Sequence, residues 1–262
     1  MGLLDDRVVL VTGAARGLGR AMAEQVVAEG ALCVVTDVTD EAGQSAANTI
    51  GSQAHYYRLD VTRVDEWHAV VADVQDRFGP VTGLLNNAAI SSVDGRPSDF
   101  ATVPLDDVRR VLEVNVLGAC AGIQAVVPSM TAAGGGSIVN LSSTGGLRAV
   151  GGFGPYATSK FAVRGMTKAF AAELGERGIR VNSLHPGHID TPMRRAAIEK
   201  DPSIGRARLS KPLARDGMPV EIAHLATFLL SDRSGYCTGA EFVADGGLLA
   251  GTRPAASPAS TL

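Results

Sequence analysis

The sequence predicts a single α/β domain in which a doubly wound, parallel, seven-stranded sheet lies between two helical layers, a three-layer αβα arrangement. Three observations predict it. Short β-branched runs alternate with longer stretches of helical periodicity along most of the chain, the pattern of βαβ units. Val8-Val9-Leu10-Val11-Thr12 is apolar almost throughout, as a strand covered on both faces must be, and Leu32-Cys33-Val34-Val35-Thr36 repeats the pattern. The length of 262 residues suits one domain with a sizeable core.

The elements follow in order. Between the first two strands, Leu18, Met22 and Val26 recur every four residues, one helical stripe facing the sheet. Further strands are expected at His55 to Leu59, Gly83 to Asn86, Ser137 to Asn140, Arg180 to Leu184 and Glu241 to Ala244. Two longer helices are expected at Leu105 to Met130 and Tyr156 to Gly178, the second closing on Gly178 at its C-cap. Ser91 to Thr102 is a polar loop carrying Gly and Pro, and Asp190 to Pro219 has no strand pattern, so residues 190–219 are expected to form a substrate lid on a domain spanning 1–250. The small, polar, Pro-bearing stretch 251–262 is expected to be a disordered tail. No internal repeat is visible.

Composition excludes several classes of function. Twenty-four Lys and Arg against 27 Asp and Glu leave a net charge of -3, with no basic excess for nucleic acid. Cys33, Cys120 and Cys237 lack the spacing of a zinc site or disulfide framework and are expected to be buried thiols in a reducing cytosol. The amino terminus has no basic leader pattern and no apolar stretch reaches 18 residues, so a cytoplasmic protein without membrane contact is expected. What composition leaves open is the glycine: 31 residues, nearly twice the average share of about 7 percent.

The glycines point to a nucleotide. The first strand runs into Thr12-Gly13-Ala14-Ala15-Arg16-Gly17-Leu18-Gly19, which opens the first helix. Glycines at a helix N-terminus let backbone N–H groups approach a pyrophosphate that side chains would hold away. Asp37, ending the second strand, stands where a carboxylate accepts the adenosine ribose hydroxyls and repels a 2′-phosphate, which favours NAD over NADP. The lesser reading of Asp37 is a turn or helix-cap residue, and Arg16 in the loop could pair with a 2′-phosphate, yet Asp37 occupies the discriminating place. Asp60, ending the third strand, could receive the adenine amino group or simply close a turn; Val38 and Val61 flank the same crevice.

Four features coincide: Thr-Gly-x-x-x-Gly-x-Gly at residues 12–19, Asn86-Asn87-Ala88-Ala89, Ser143, and Tyr156-Ala157-Thr158-Ser159-Lys160. Together they resemble the short-chain dehydrogenase/reductase family of the common type, over residues 5–250. Ser143 lies thirteen residues before Tyr156, the family's usual separation, and Asn115 in Glu-Val-Asn-Val-Leu-Gly is similar to the family's catalytic Asn segment. Pro186-Gly187-His188-Ile189-Asp190-Thr191 is similar to the loop that holds the nicotinamide, so Pro186, Gly187, Ile189 and Thr191 are implied as cofactor residues beside Asn87, Ala88 and Ala89. Ala89 departs from the Gly that many members carry. The resemblance implies a Rossmann-type fold and a homotetramer built on the two long helices. Val-Asn-Ser-Leu-His-Pro-Gly and Tyr-Cys-Thr-Gly-Ala-Glu resemble the branch containing bacterial 3α/20β-hydroxysteroid dehydrogenases.

The chemistry can be argued from the residues. Oxidising a secondary alcohol by hydride transfer needs a base for the hydroxyl proton. Tyrosine's pKa of about 10 is too high for neutral pH, and lowering it by about 3 units takes about 4 kcal/mol of phenolate stabilisation. Lys160, four residues after Tyr156, shares its helix face, and its ammonium, with the positive nicotinamide ring, is expected to supply that stabilisation and to hold the nicotinamide ribose. Ser143 would hydrogen-bond the substrate oxygen. By the family pattern, Asn115 props a water in the proton path to Lys160. A Tyr–Lys pair, a serine after a strand or an Asn is unremarkable alone; their joint spacing with the glycine loop gives them weight.

Hydrolase and metal readings fail, because there is no Gly-x-Ser-x-Gly and no histidine matches a nucleophile or metal motif; His185 is expected to be structural. Leu147, Val150 and Phe153 offer an apolar pocket wall and His188 could touch substrate, which suits a hydrophobic, cyclic secondary alcohol or ketone of hydroxysteroid type. The residues from Asp190 to Asp216 carry seven cations against four acids, +3, which could instead receive the phosphate of a 3-oxoacyl thioester carrier or only form a solvated surface. An alternative of another class is a catalytically silent NAD-binding sensor or scaffold.

Overall fold

The computed structural model describes residues 2–93, 97, 99–149, 151–200, 205 and 211–251. Seven parallel strands form one sheet in the order β3-β2-β1-β4-β5-β6-β7. The strands are β1 (Val8–Thr12), β2 (Leu32–Asp37), β3 (Ala54–Arg58), β4 (Val81–Asn86), β5 (Gly136–Leu141), β6 (Ile179–Pro186) and β7 (Glu241–Ala244). All seven expected strands are present. Pairing moves their ends: Cys33 opposite Ala54 and Asp37 opposite Arg58 shift β3 one residue back, and partners on both sides lengthen β6.

Strand residues alternate between two cores, because successive side chains point to opposite faces. Val9, Val11, Cys33, Val35, Leu85 and Val139 enter one core, closed by α1 (Gly17–Ala28), α2 (Asp40–Ile50) and α8 (Pro219–Leu230). Val8, Leu10, Val34, Leu84 and Ile138 enter the other, closed by α3 (Val64–Phe78), α5 (Gly118–Ala132) and α6 (Gly154–Leu174). On α1, Met22 and Val26 are buried and Leu18 packs at the margin, the stripe expected from the sequence.

The expected helix from Leu105 to Met130 is continuous but not uniform. Its first part, α4 (Leu105–Leu112), passes into one wide π turn (Glu113–Leu117) before α5. By length and composition Leu105–Ala132 could cross a bilayer; instead Ile123, Val126 and Met130 seat it on the sheet. Helix α6 ends in a single 3₁₀ turn, and Gly178 takes φ 71°, the left-handed cap its position predicted. Cys33 is buried, whereas Cys120 and Cys237 are only half-buried, which corrects the expectation of three buried thiols. Of the segment 190–219, the described part carries α7 (Pro192–Lys200) and a parallel bridge from Ile189 to Gly217. The stretch 252–262, expected to be a tail, lies outside the described residues.

Candidate active site

The order of the sheet reverses at β1 and β4, and the loops leaving their C-terminal ends open the crevice where α/β sheets of this winding bind ligands. On the β1 side, Gly13 and Gly17 take φ 63° and 60°, which L side chains rarely adopt. A Cβ on Gly19 would stand 2.2 Å from the Gly13 carbonyl oxygen, so only glycine lets the start of α1 close on the loop. These residues fit a pyrophosphate, which the N–H groups of the first turn of α1 would hold. Arg16 precedes that turn in extended conformation, exposed.

Two connections shape the crevice. Thr12 Oγ1, 1 percent exposed, accepts the N–H groups of Asn87 and Ala88 at 2.9 and 3.0 Å, and Asn87 Nδ2 donates to the Thr12 and Gly13 carbonyls at 2.8 and 3.1 Å. The Asn87-Ala88-Ala89 loop is thereby tied to the glycine loop. From the other side, a Cβ on Gly17 would stand 3.5 Å from Pro192 Cδ and 3.9 Å from Thr191 Cβ, so the segment leaving β6 folds over the same glycines. Pro186 pairs with Ala244, Gly187 has room for no side chain against Asp245, and Ile189 is buried, which fixes the course of that segment.

Asp37 and Asp60 are more committed to the backbone than the sequence suggested. Asp37 accepts from the Ala15 and Thr39 N–H groups at 3.2 and 3.0 Å, one on the glycine loop and one ahead of α2. Each carboxylate oxygen retains a lone pair, so the ribose remains within its capacity. Asp60 Oδ1 accepts both the N–H and the hydroxyl of Thr62 at 3.0 and 2.8 Å, which is the turn-closing reading. Val38 is exposed past the end of β2, and Val61 is buried, its carbonyl accepting from the Trp67 indole.

Beyond β5, Ser143 caps a short 3₁₀ turn by accepting from Gly145 N–H at 3.0 Å. His185 holds it in place. Its Nδ1 lies 3.1 Å from the Ser143 carbonyl, which can only accept, so Nδ1 carries the proton and Nε2 accepts from Ser183 at 2.8 Å. Tyr156 stands in the first turns of α6, half-buried, and Lys160 follows one turn later with Nζ 5.6 Å from the Tyr156 ring centre. Lys160 is 3 percent exposed and donates to the Leu141 carbonyl at 2.7 Å. Burial pushes its ammonium down to about 8, leaving it mostly protonated at neutral pH. At Tyr156 burial raises the hydroxyl, and the hydrogen bond with Ser143 offsets only part of this.

Asn115 lies in the π turn between α4 and α5, 2 percent exposed. Both of its donors and its oxygen are engaged: Oδ1 accepts from Ile90 N–H, and Nδ2 donates to the Ile90 carbonyl and to Ser159 Oγ, all at 2.8 to 2.9 Å. Ser159 in turn donates to the Tyr156 carbonyl at 2.7 Å. The side chain of Asn115 therefore braces the loop after β4 against α6, and shares no hydrogen bond with Lys160.

On the substrate side, Leu147 and Phe153 are half-buried around the turn between Ser143 and α6, while Val150 lies outside the described residues. Phe100, 61 percent exposed, covers Gly154 at the start of α6, where a Cβ would stand 2.7 Å from its ring; the sequence did not single it out. His188 is half-buried, with a buried Nδ1 that has no hydrogen-bond partner. Among the described cations of residues 190–219, Arg194 and Lys211 share Asp216, Arg195 pairs with Asp190, and Arg215 pairs with Glu221. No cluster of metal-binding side chains is found among the described residues.

A family model described as Enoyl-(Acyl carrier protein) reductase matches residues 13–249. The chain belongs to the short-chain dehydrogenase/reductase family. It is 44 percent identical over 250 residues to a 3-alpha-(or 20-beta)-hydroxysteroid dehydrogenase of Mycobacterium tuberculosis, covering 95 percent of this chain and 92 percent of that one. It is 39 percent identical over 255 residues to a trans-4-hydroxycyclohexanecarboxylate dehydrogenase of Sinomonas cyclohexanicum, covering 94 percent of each. Among solved structures, Levodione Reductase superposes with a TM-score of 0.89 at 32 percent identity, covering 94 percent of this chain and 99 percent of the other. As a short-chain dehydrogenase/reductase, the protein is an oxidoreductase of alcohol and ketone substrates that uses a nicotinamide cofactor, and the identity supports the hydroxysteroid dehydrogenase-like branch.

Sequence reasoning missed the residues that connect the site. Thr12 and Ser159 lie inside the quoted motifs but were given no role there, Phe100 lies in no motif, and a hydroxyl's partner 75 residues away leaves no periodic signal.

Proposed function

We propose that this chain is an NAD-dependent dehydrogenase of hydrophobic, cyclic secondary alcohols, with the matching ketones as reverse substrates. The observation that carries the reading is the meeting of Ser143, Tyr156 and Lys160 at the end of β5, beside the glycine cradle. Tyr156 would take the hydroxyl proton, Ser143 would donate to the substrate oxygen, and Lys160 would supply the nearby positive charge. The bound nicotinamide supplies hydride acceptance and, oxidised, a second positive charge that favours the phenolate. Because burial alone raises Tyr156, proton removal at neutral pH depends on that combined charge. Asn115 acts through position, by holding the loop after β4 on the helix that bears Tyr156 and Lys160.

The preference for NAD rests on Asp37, whose carboxylate lies on the glycine loop where a 2′-phosphate would add like charge. The ring-shaped substrate rests on the apolar Leu147, Phe153 and Phe100 and on the names of the relatives. The 3-oxoacyl thioester reading loses its main support, since Arg194, Arg195, Lys211 and Arg215 all have carboxylate partners. We place the protein in the cytoplasm as a homotetramer, with Leu105, Leu117 and Phe161 exposed on helices α4 to α6 for subunit contact.

A panel of cyclic alcohols and ketones with NAD(H) and NADP(H), followed by the absorbance of the reduced nicotinamide, tests the reading. Turnover that Tyr156→Phe abolishes is expected. Nucleotide binding without turnover of any member would establish the silent sensor instead. Asp37→Ala is expected to relax the preference towards NADP, and unchanged selectivity refutes the ribose assignment.

A further inference from the structure

Strand β5 ends at Leu141, just before Ser143, and the residues leading to that serine are held one by one. Leu141 pairs with Leu184 of β6, and its carbonyl accepts from Lys160 Nζ at 2.7 Å. Ser142 donates its N–H to the Leu184 carbonyl at 2.8 Å and its hydroxyl to the Lys160 carbonyl at 3.0 Å. At Ser143 the chain leaves the ladder. Two of the bonds it receives, Gly145 N–H to Oγ at 3.0 Å and Gly146 N–H to its carbonyl at 2.9 Å, lie inside the 3₁₀ turn and move with it.

His185 reaches this turn from β6. Its side chain is wholly buried, and Nδ1 donates to the same Ser143 carbonyl at 3.1 Å, filling the second lone pair. Burial lowers the basicity of the ring; Lys160 and Arg164 of α6 act in the same direction and Glu241 of β7 against it. Glu241 is itself held by Arg164 and Lys168. At neutral pH the ring is therefore neutral and has a single N–H. That N–H faces Ser143, because Nε2 accepts from Ser183 at 2.8 Å. A side chain that only filled space here would need neither bond, and burying an imidazole is costly without them.

We propose that His185 is a positioning residue for the proton transfer, its Nδ1–H tying the turn that carries Ser143 to β6 and so aiming the Ser143 hydroxyl at Tyr156 and the substrate oxygen. This deepens the function proposed above and rests on its assignment of Ser143 and Tyr156. The hydrogen bond with Ser143 lowers the Tyr156 hydroxyl against the effect of burial. A turn that swings away loses that lowering together with the donor to the substrate oxygen. The effect of His185 therefore falls on the chemical step and its pH dependence, while the glycine cradle on the far side of β1 keeps the nucleotide.

The test replaces His185 in three ways and follows the single-turnover reduction of bound NAD by cyclohexanol and by a 3α-hydroxysteroid, with calorimetry for NAD affinity. His185→Asn keeps a donor near the Nδ1 position, His185→Gln carries it out to the Nε2 position, and His185→Phe keeps only a ring. The Gln and Phe variants are expected to reduce NAD about ten- to a hundredfold more slowly, the cost of a displaced reacting group. Their rates should also need a pH higher by about one unit, the equivalent of one hydrogen bond to a charged group. NAD affinity should stay within about threefold. His185→Asn is expected to recover most of the rate and of the pH profile. Should the Phe variant not fold, the contrast of Asn with Gln at matched melting temperatures decides the matter. Wild-type rate and pH profile in the Gln variant, equal losses in Asn and Gln, or a loss confined to NAD affinity overturns the role of His185 and leaves the dehydrogenase standing. NAD that binds the wild type but is reduced by neither alcohol overturns the dehydrogenase reading, and the role of His185 with it.

Discussion

Thr12→Val is the sharpest probe of how the crevice is held. Valine keeps the shape of threonine and removes the hydroxyl, which is 1 percent exposed and makes three hydrogen bonds: from Asn87 N–H at 2.9 Å, from Ala88 N–H at 3.0 Å, and to the Leu85 carbonyl at 3.3 Å. Each bond contributes about 1 kcal/mol net, and an unsatisfied buried donor costs about 1–3 kcal/mol. Asn87 and Ala88 are half-buried, so water can reach part of the gap, and we expect a loss of about 2–4 kcal/mol. For a domain of this size that lowers the melting temperature by about 5–15 °C at fixed protein concentration. Cofactor affinity should fall with it, because a Cβ on Gly13 would stand only 3.0 Å from Ala88 Cα and the two loops form one wall. Thr12→Ser, which retains the oxygen, should recover most of both. A Thr12→Val protein melting within about 2 °C of the wild type would refute the claim that this hydroxyl ties the loops.

Other outcomes follow from the same geometry. Lys160 is depressed in the folded chain from 10.5 to about 8, so below pH 8 folding retains a buried ammonium at a cost of about 3 kcal/mol. Between about pH 8 and 10.5 the unfolded chain binds more protons, so stability rises with pH in that window and the contribution is lost as pH falls through 8. Lys160→Met should therefore melt higher than the wild type without cofactor at pH 7, the gap narrowing towards pH 10, and should lose turnover; a lower melting point at pH 7 counts against this. Gly19→Ala puts a Cβ 2.2 Å from the Gly13 carbonyl, so calorimetry should show nucleotide binding weakened by about tenfold or more. Ser159→Ala removes the bridge between Asn115 and Tyr156, and should lower kcat more than it raises KM.

Much of the fold was legible because it depends on local pattern. Strands buried on both faces read as continuous apolar runs, and β1 and β7 end where the sequence placed them. The ends of β3, β4 and β6 did not, because a strand extends as far as its neighbour offers partners. The π turn at Asn115 was hidden for a related reason: the helical pattern runs through it, and the turn is stabilised by hydrogen bonds to Ile90, 25 residues away. Among the site residues, the glycines and the Tyr156–Lys160 spacing carry their geometry in the sequence. The sharing of Asp216 by Arg194 and Lys211 does not, since ion pairing is decided by which side chains the folded loops bring together.

The sequence by itself determined the winding of the sheet, the glycine cradle and the helical register of Tyr156 and Lys160, because each follows from the conformational limits of a few consecutive residues. Only the tertiary structure decided what those groups experience. Burial sets Lys160 near 8 and raises Tyr156, and Thr12 and Ser159 join loops distant in the chain. Arg194 and Lys211, far apart in the chain, meet on one Asp216. Desolvation and charge proximity depend on distances between remote segments, and no run of neighbouring residues contains them.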